Sequence, residues 1–451
     1  MENDYNIILK KYPTQVPRYT SYPTAPHFHD LSPDKYAHWI TAIPADDAIS
    51  LYVHIPYCKK LCWFCGCNTR ITRRYEPVET YLTLLVREIH MVAKKIGRKQ
   101  RVQHIHFGGG SPTILSCTDF EQIMKGLGEC FTILPDAEIA IEADPRGISE
   151  AKVAAYARHG VNRVSIGVQD FDTTVQEASN RVQSFSTVYN TVKLCRDYGI
   201  NDISFDLVYG LPRQNMEGFK RTIDYALLFN PSRIALFGYA HVPWKKKNMR
   251  LINEKDLPND TLRHAMFDAA SQSLREAGYV SIGLDHFARQ NDSMAIAFKQ
   301  QRLRRNFQGY TTDKSDVLIG FGASAISSLQ QGYAQNAVGV DAYEKAILEG
   351  KLPTSRGYAL NDEDRLRRSI IEALMCHFEV DIAEQCQKAG QSPEILDCAF
   401  PQLQKMQADG LICMEDSRIR VHAECPQAVR LVSASFDAYF LPHLSQHAKV
   451  S

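Results

Sequence analysis

The chain has 451 residues, 44% of them hydrophobic, and sets 52 Lys plus Arg against 51 Asp plus Glu for a formal charge of +1. This composition excludes a disordered or fibrous chain and fits two or three folded domains with substantial cores. The charge balance argues against wrapping nucleic acid or lying on an anionic membrane, so any anionic ligand has to be met by local charge.

The first residues carry no basic-then-apolar leader, and no stretch reaches the ~18 uninterrupted apolar residues of a membrane span. A cytoplasmic protein with neither membrane nor nucleic-acid partner is expected. From about residue 50, short β-branched or alternating segments take turns with longer amphipathic ones. LYVHI (51–55), VQHIHF (102–107), EIAIEA (138–143), RVSIGV (163–168), DISFDL (202–207) and RIALFG (233–238) read as six strands. Between the first two, residues 78–96 place Leu82, Leu85, Ile89 and Val92 at helical spacing. The next helix reads as opening with a Thr118-x-x-Glu121 capping box. Such βα repetition gives a parallel sheet, either doubly wound or an incomplete barrel, and periodicity does not separate the two. In both, chemistry gathers at the carboxyl rim of the strands. There the sequence puts His54, Gly108 to Ser111, Glu142, Asp144, Gln169, Asp170, Asp206, Tyr239 and His241.

Around Gly339 the βα rhythm stops. Asn361 reads as the N-cap of a helix presenting Leu366, Ile370, Leu374 and Phe378 on one face, and 411–414 with 418–422 read as a hairpin. Helix and hairpin together predict a small winged-helix-like domain. No basic face marks it as a DNA reader, so a lid or packing role is preferred. The expected division is an arm over 1–40, an α/β domain over 41–338 and a mostly helical domain over 339–451.

Of twelve cysteines, Cys58, Cys62, Cys65 and Cys67 crowd into one loop directly after the first strand, while the other eight are scattered singly. A disulfide framework belongs to short secreted chains, and scattered cysteines read as small buried hydrophobes. Structural zinc joins two cysteine pairs drawn from distant parts of a chain, and electron-carrier clusters use Cys-x-x-Cys-x-x-Cys with a remote fourth ligand. The order here is Cys-x-x-x-Cys-x-x-Cys, with Trp63 and Phe64 inside it and Gly66-Cys67 after it. The second strand ends in Gly108-Gly109-Gly110-Ser111-Pro112, which has neither the Lys-Ser/Thr of a phosphate loop nor the dinucleotide order of glycines.

This loop, with the glycine run after the next strand, resembles the radical S-adenosylmethionine (SAM) enzymes, and further segments resemble one family within them. These are Pro17-Arg18-Tyr19-Thr20-Ser21-Tyr22-Pro23-Thr24, the Cys-Gly-Cys ending at Cys67, Asp285-His286-Phe287-Ala288-Arg289, Asn306-Phe307-Gln308-Gly309-Tyr310-Thr311-Thr312 and Gly322-Ala323-Ser324-Ala325-Ile326-Ser327. Together they are similar to the oxygen-independent coproporphyrinogen III oxidases of haem biosynthesis. Trp63 stands where that family often has Tyr, and Ser111 where it often has Thr; both keep the chemical type.

The resemblance implies a partial (β/α)6 barrel of the radical SAM type with an N-terminal arm and a winged-helix-like C-terminal domain. It implies a 4Fe-4S cluster on Cys58, Cys62 and Cys65, with one iron left open for SAM, and Cys67 needed for turnover without being a ligand. It also implies two SAM molecules. Tyr52, Gly109, Glu142 and Ile326 would line the first, with Tyr52 and Glu142 taking part in catalysis. Phe64, Gly110, Ser111, Gln169, Arg181, Asp206 and Ala240 would line the second. The implied reaction is oxidative decarboxylation of the ring A and B propionates of coproporphyrinogen III to vinyl groups, in a monomer served by a flavodoxin- or ferredoxin-like electron donor and a separate, unidentified electron acceptor. Four substrate carboxylates call for cationic contacts, and Arg18, Arg289 and Arg305 are the candidates by type and motif context. Two rival readings are a related radical enzyme that methylates or opens haem, and a haem chaperone without oxidase activity.

Overall fold

The computed structural model describes residues 16–440 together with 8, 11 and 12. The rest of the arm's first fifteen residues lies outside the described set. The chain forms two compact units assembled from non-contiguous segments. One takes in His29–Ala277 and Asp313–Gly357, the other the residues up to Phe28, Gly278–Thr312 and the chain from Tyr358. The sequence reading divides the chain at 40 and 338 instead. Residues 278–312 and the arm share a core with the C-terminal residues, which linear order does not reveal.

The larger unit is α/β. Its six expected strands are β1 (Ala48–Ile55), β2 (Arg101–Gly109), β3 (Thr132–Ala143), β4 (Arg163–Gln169), β5 (Asp202–Tyr209) and β6 (Arg233–Gly238). They lie in the sheet in chain order, each parallel to the next. A doubly wound sheet reverses its order partway, whereas a barrel does not. The monotonic order therefore settles the choice periodicity left open, in favour of a partial barrel. Helices Glu76–Ile96, Cys117–Cys130, Glu150–Arg158, Phe185–Asp197 and Met216–Leu228 make the crossovers, and Asp260–Glu276 follows β6.

Strand alternation fixes what each face carries. In β1 Ile49, Leu51, Val53 and Ile55 are fully buried, and in the neighbours Ile105, Phe107, Ile141, Val164, Ile166, Ile203, Phe205, Leu207, Ile234 and Leu236 take the same face. Each such aliphatic side chain contributes about 1.5–3 kcal/mol on burial. Because successive side chains point to opposite faces, the other face carries Ser50, Tyr52 and His54, then His104, His106 and Gly108, then Glu138 and Glu142, then Ser165, Gly167 and Gln169, then Asp206.

A seventh parallel strand, β7 (Leu318–Phe321), joins the outer side of β1, with Gly320 opposite Tyr52. It continues into an antiparallel pair, Ile326–Leu329 with Gly332–Asn336. The sequence reading missed β7 because four buried residues, with one glycine among them and another directly after, show no alternation. The helix Cys117–Cys130 is capped by Ser116, whose side chain accepts from the Asp119 N–H, and not by Thr118. Thr118 already lies inside the first turn.

In the smaller unit, helix Asp362–His377 has the expected N-cap. Asn361 accepts from the Asp364 N–H, and Asp364 accepts from the Asn361 N–H. Phe378 is the left-handed C-cap at φ 61° and not a member of the helical face. The hairpin Ile412–Glu415 with Arg418–Val421 gains Glu379–Asp381 as a third strand, in keeping with the winged-helix-like expectation. The arm belongs to this unit's core: Val16, Tyr19 and Tyr22 are buried with Leu366, Ile370 and Phe436. The Tyr19 hydroxyl donates to Asp437 at 3.0 Å, and Arg430 donates to the carbonyls of Val16 and Pro17.

Asn361→Ala removes one half of the capping box and should lower stability by about 1 kcal/mol, read as a lower denaturation midpoint. An unchanged midpoint would show that the cap contributes nothing.

Candidate functional site

The site begins where β2 runs out against β1. The ladder between them continues past the strand ends: the Gly110 N–H donates to Ile55 O at 2.8 Å and the Ser111 N–H to Tyr57 O at 2.9 Å. This close approach leaves no room for side chains. A Cβ on Gly108 would meet Glu142 Oε1 at 2.8 Å and the Tyr52 hydroxyl at 2.9 Å, and one on Gly110 would meet Tyr57 O at 2.8 Å. On Gly109, at φ +117°, it would strike the His54 ring at 2.7 Å. The backbone of the glycine run is therefore what a ligand meets.

Tyr52, His54, His106 and Glu142 form one network around that run. Glu142 accepts from the Gly109 N–H at 3.2 Å and sits 3.1 Å from His106 Nε2. The Tyr52 and His106 rings stack with centroids 5.8 Å apart. Burial pushes the His54 imidazole pKa down and so keeps it neutral. Its Nε2 faces the Asn68 carbonyl at 3.2 Å, an acceptor only, so Nε2 carries the proton and Nδ1 accepts from the Tyr52 hydroxyl at 3.0 Å. Burial pushes the Tyr52 hydroxyl well above its ordinary pKa, which keeps it a donor.

The cysteine loop leaves β1 as the two-residue strand Tyr57–Cys58, paired with Arg70–Ile71. Its carbonyls are gathered by side chains from elsewhere in the unit. Asn248 Nδ2 lies 3.0 Å from the Trp63 and Cys65 carbonyls, Asn180 Nδ2 donates to Leu61 O at 2.7 Å, and Lys246 Nζ donates to Cys67 O at 3.1 Å. Each of three sulfurs faces a donor. Thr69 Oγ1 donates to Cys58 Sγ at 3.2 Å, Arg181 Nη1 to Cys62 Sγ at 3.4 Å, and the Cys67 N–H to Cys65 Sγ at 3.4 Å. Burial pushes the Cys58 thiol up to about 11, while hydrogen bonding from Cys67 pulls Cys65 down and raises Cys67.

All twelve cysteines are free thiols. Sulfurs that face hydrogen-bond donors are suited to the thiolate form, and N–H···S contacts are a means by which proteins tune iron–sulfur clusters. The donor set of Cys58, Cys62 and Cys65 therefore fits a 4Fe-4S cluster. Among the described residues no three His, Cys, Asp or Glu side chains converge as they would around one ion.

Further round the rim, Arg181 is 9% exposed and far from the solvated loop charge that its position in sequence permits. It donates to Gly167 O at 2.6 Å, and a Cβ on Gly167 would meet Arg181 Nη2 and Gln169 Nε2, each at 2.8 Å. Asp144 lies 2.6 Å from Arg146 Nη2 and 3.6 Å from Arg181. Burial raises its pKa, but these guanidiniums more than offset that and hold it below the usual carboxylate range. Asp206 lies within β5, opposite Gly167, and accepts from Ser165 Oγ at 3.1 Å. Trp63 and Phe64 pack on an apolar cluster of Val175, Leu211, Tyr239 and Met249, and Ala240 follows Tyr239. Ser111 Oγ pairs with Thr113 Oγ1 at 2.9 Å. Ile326 is set beside Gly320, hence one strand from Tyr52.

The network thus unites Tyr52, Gly109 and Glu142, and a second group unites Arg181, Gln169 and Cys62. Sequence reasoning missed Asn248, Arg146, Thr69 and His106. Only His106 left a signal, since it shares a strand face with Gly108.

In the smaller unit, Arg305 donates to the carbonyls of Arg18 and Tyr19 at 3.3 Å and lies 4.4 Å over the Tyr310 ring. Asp285 pairs with His286 at 2.7 Å, and the charges of Arg305 and Arg18 help to hold its carboxyl low against the effect of burial. Arg289 instead stacks over Tyr279 at 4.0 Å.

Comparison with known proteins agrees with this chemistry. The Radical SAM superfamily model matches residues 52–226 and the HemN C-terminal domain model residues 360–424. The oxygen-independent coproporphyrinogen III oxidase of Bradyrhizobium diazoefficiens is 47% identical over 436 residues, covering 96% of this chain and 97% of its own. That of Pseudomonas aeruginosa is 38% identical over 444 residues, covering 97% and 96%. A solved structure, of coproporphyrinogen III oxidase (HemN) from Escherichia coli, a radical SAM enzyme, superposes with a TM-score of 0.90 at 35% identity over 96% of this chain and 99% of that one. No helix among the described residues is long and apolar enough to cross a membrane.

Gly109→Ala should cost about 2 kcal/mol, through the positive φ and the His54 contact together, measured as a fall in thermal midpoint. A midpoint unchanged from the parent protein would mean that the glycine run is not pressed against β1.

Proposed function

The chain belongs to the oxygen-independent coproporphyrinogen III oxidase family, and from that premise we propose that it converts the ring A and ring B propionates of coproporphyrinogen III into vinyl groups, giving protoporphyrinogen IX. The observation that carries the reading is the cysteine loop: three sulfurs facing hydrogen-bond donors at the carboxyl rim of a partial barrel, in a chain that matches the family along almost its whole length. When bound, the family's 4Fe-4S cluster and SAM supply a carbon radical that takes hydrogen from the propionate carbon next to the pyrrole, so that carbon dioxide leaves and one electron passes on.

The protein's part is to hold, orient and exclude water. Cys58, Cys62 and Cys65 ligate the cluster as thiolates, and Cys67 takes part in turnover. Tyr52, Gly109, Glu142 and Ile326 bind one SAM, with the half-buried backbone of the glycine run and the Glu142 carboxylate suited to an ammonium group. Tyr52 and Glu142 also serve the catalytic step. Phe64, Gly110, Ser111, Gln169, Arg181, Asp206 and Ala240 bind a second SAM, where a guanidinium suits a carboxylate and a carboxylate suits ribose hydroxyls. Trp63 and Phe64, packed on the cluster around Tyr239, limit water at the loop.

In this reading the larger unit, His29–Ala277 with Asp313–Gly357, carries the cofactor chemistry, and the smaller unit, which takes in the arm and the winged-helix-like domain, has a packing role. Arg18, Arg289 and Arg305 meet substrate carboxylates. The protein works as a cytoplasmic monomer, a flavodoxin- or ferredoxin-like donor reduces the cluster, and a separate acceptor takes the released electron.

Anaerobic protein reconstituted with iron and sulfide, given reductant, SAM and coproporphyrinogen III, should form vinyl product and 5'-deoxyadenosine. Cys58→Ala, Cys62→Ala and Cys65→Ala should each lose the brown chromophore, whereas Cys67→Ser should keep iron and lose turnover. A brown protein that yields neither product, or one that binds haem tightly in stoichiometric amount instead, would end the oxidase assignment. Replacing Arg18, Arg289 and Arg305 singly by Ala should raise the Michaelis constant for the porphyrinogen about tenfold or more, since a charge-assisted contact contributes about 1.5–3 kcal/mol and about 1.4 kcal/mol is tenfold. Unchanged kinetics in all three would remove them from the substrate site.

A further inference from the structure

Glu88 sits in the middle of the helix Glu76–Ile96, on its buried face and 1% exposed. A buried carboxylate is costly unless its oxygens are fully hydrogen-bonded. Glu88 has three donors, all neutral. Oε2 accepts from the Gly322 N–H and the Tyr343 hydroxyl, each at 2.7 Å, and Oε1 accepts from Asn336 Nδ2 at 2.7 Å. Burial still pushes its carboxyl up to about 7. A glutamine could not do the same, because its amide offers one acceptor oxygen and turns a donor towards donors.

What Glu88 grips is the turn that leaves β7. Asn336 Nδ2 also donates to Gly322 O at 3.0 Å. About two turns earlier on the same helix, the Tyr81 hydroxyl accepts from the Ala323 N–H at 3.0 Å and donates to His54 O at 2.8 Å. Gly322, at φ +96°, is required here: a Cβ would run into the Tyr81 hydroxyl and into His54 O. The turn then carries Ser324, at φ 64°, whose hydroxyl lies 3.5 Å from His54 Nε2, and leads into Ile326. One helix therefore pins both His54, against which Gly109 is pressed, and the turn that presents Ile326.

We infer that Glu88, with Tyr81, is a positioning residue for the cofactor site: a buried bracket that fixes the 322–326 turn and the His54–Gly109 contact so that the SAM face of β1 and β2 is formed before SAM arrives. It touches no ligand itself. The inference rests on the radical SAM reading above and assigns that site a support on the far side of the sheet from the chemistry. Pre-organisation of this kind appears in affinity more than in the chemical step.

The test compares the reconstituted parent protein with Glu88→Gln. Hydrogen exchange followed by mass spectrometry, which needs no turnover, should show the 318–327 segment exchanging at least tenfold faster in the variant. SAM binding measured anaerobically by equilibrium dialysis should weaken about tenfold. kcat at saturating SAM should change less than threefold, while KM for SAM rises with the dissociation constant. Tyr343→Phe, which removes the hydroxyl that donates to Glu88, serves if Glu88→Gln does not fold, with the same effects about threefold in size. Parent-like exchange over 318–327, or SAM affinity within a factor of 1.5 of the parent in the folded variant, overturns the bracket. Failure of the parent itself to bind SAM would instead overturn the radical SAM reading.

Discussion

The structure depends first on how closely β1 and β2 are held together beyond their own ends. Two backbone hydrogen bonds, Gly110 to Ile55 and Ser111 to Tyr57, carry the ladder into the start of the cysteine loop. They are possible only because three consecutive residues have no side chain where Tyr52, His54, Tyr57 and Glu142 would collide with one. The same contact does two things. It presents peptide groups instead of side chains to the rim, and it fixes where Cys58 leaves the sheet.

From that seam the rest of the site follows by alternation. A parallel strand buried on both sides is ordinarily apolar throughout. Here one face of β1 to β5 is apolar and the other carries tyrosine, histidine, glutamate, serine, glutamine and aspartate. Such a face is stable only when its polar atoms are paired, and the pairs observed, Glu142 with the Gly109 amide and Asp206 with Ser165, tie neighbouring strands to one another. The cysteine loop is short of internal hydrogen bonds and is shaped from outside, by Asn180, Lys246 and Asn248 on its carbonyls and Thr69 and Arg181 on its sulfurs. The path of the loop is thus set in part by residues outside it.

Much of this was legible beforehand. Six strands could be read because β-branched residues recur at strand length between glycines and amphipathic helices, and every one of them is present. Asn361 announced its helix, since an Asn followed three residues later by an acid satisfies two orphan amides by local geometry alone. The Cys-x-x-x-Cys-x-x-Cys spacing stated its chemistry because ligand type and spacing are chain-local properties. Less legible were Thr118, which resembles a cap but lies one residue inside the helix, and β7, four buried residues with no alternation to display. Arg181 could be named only through the family resemblance, since nothing local to it marks it as buried. Its burial follows from Gly167 and Cys62, neither of which is close to it in sequence.

The sequence by itself determined the repeating βα pattern, the residues at the rim, the thiol-rich loop and the family, since all of these depend on periodicity or on short spacings that the chain carries within itself. Only the tertiary structure decided that the strands run in barrel order, that the arm and residues 278–312 share a core with the C-terminal segment, and that Glu88 and Asn248 brace backbone far from them in sequence. Each of those depends on the pairing of distant segments, where a hydrogen bond between residue 88 and residue 322 leaves no mark on the local pattern of either.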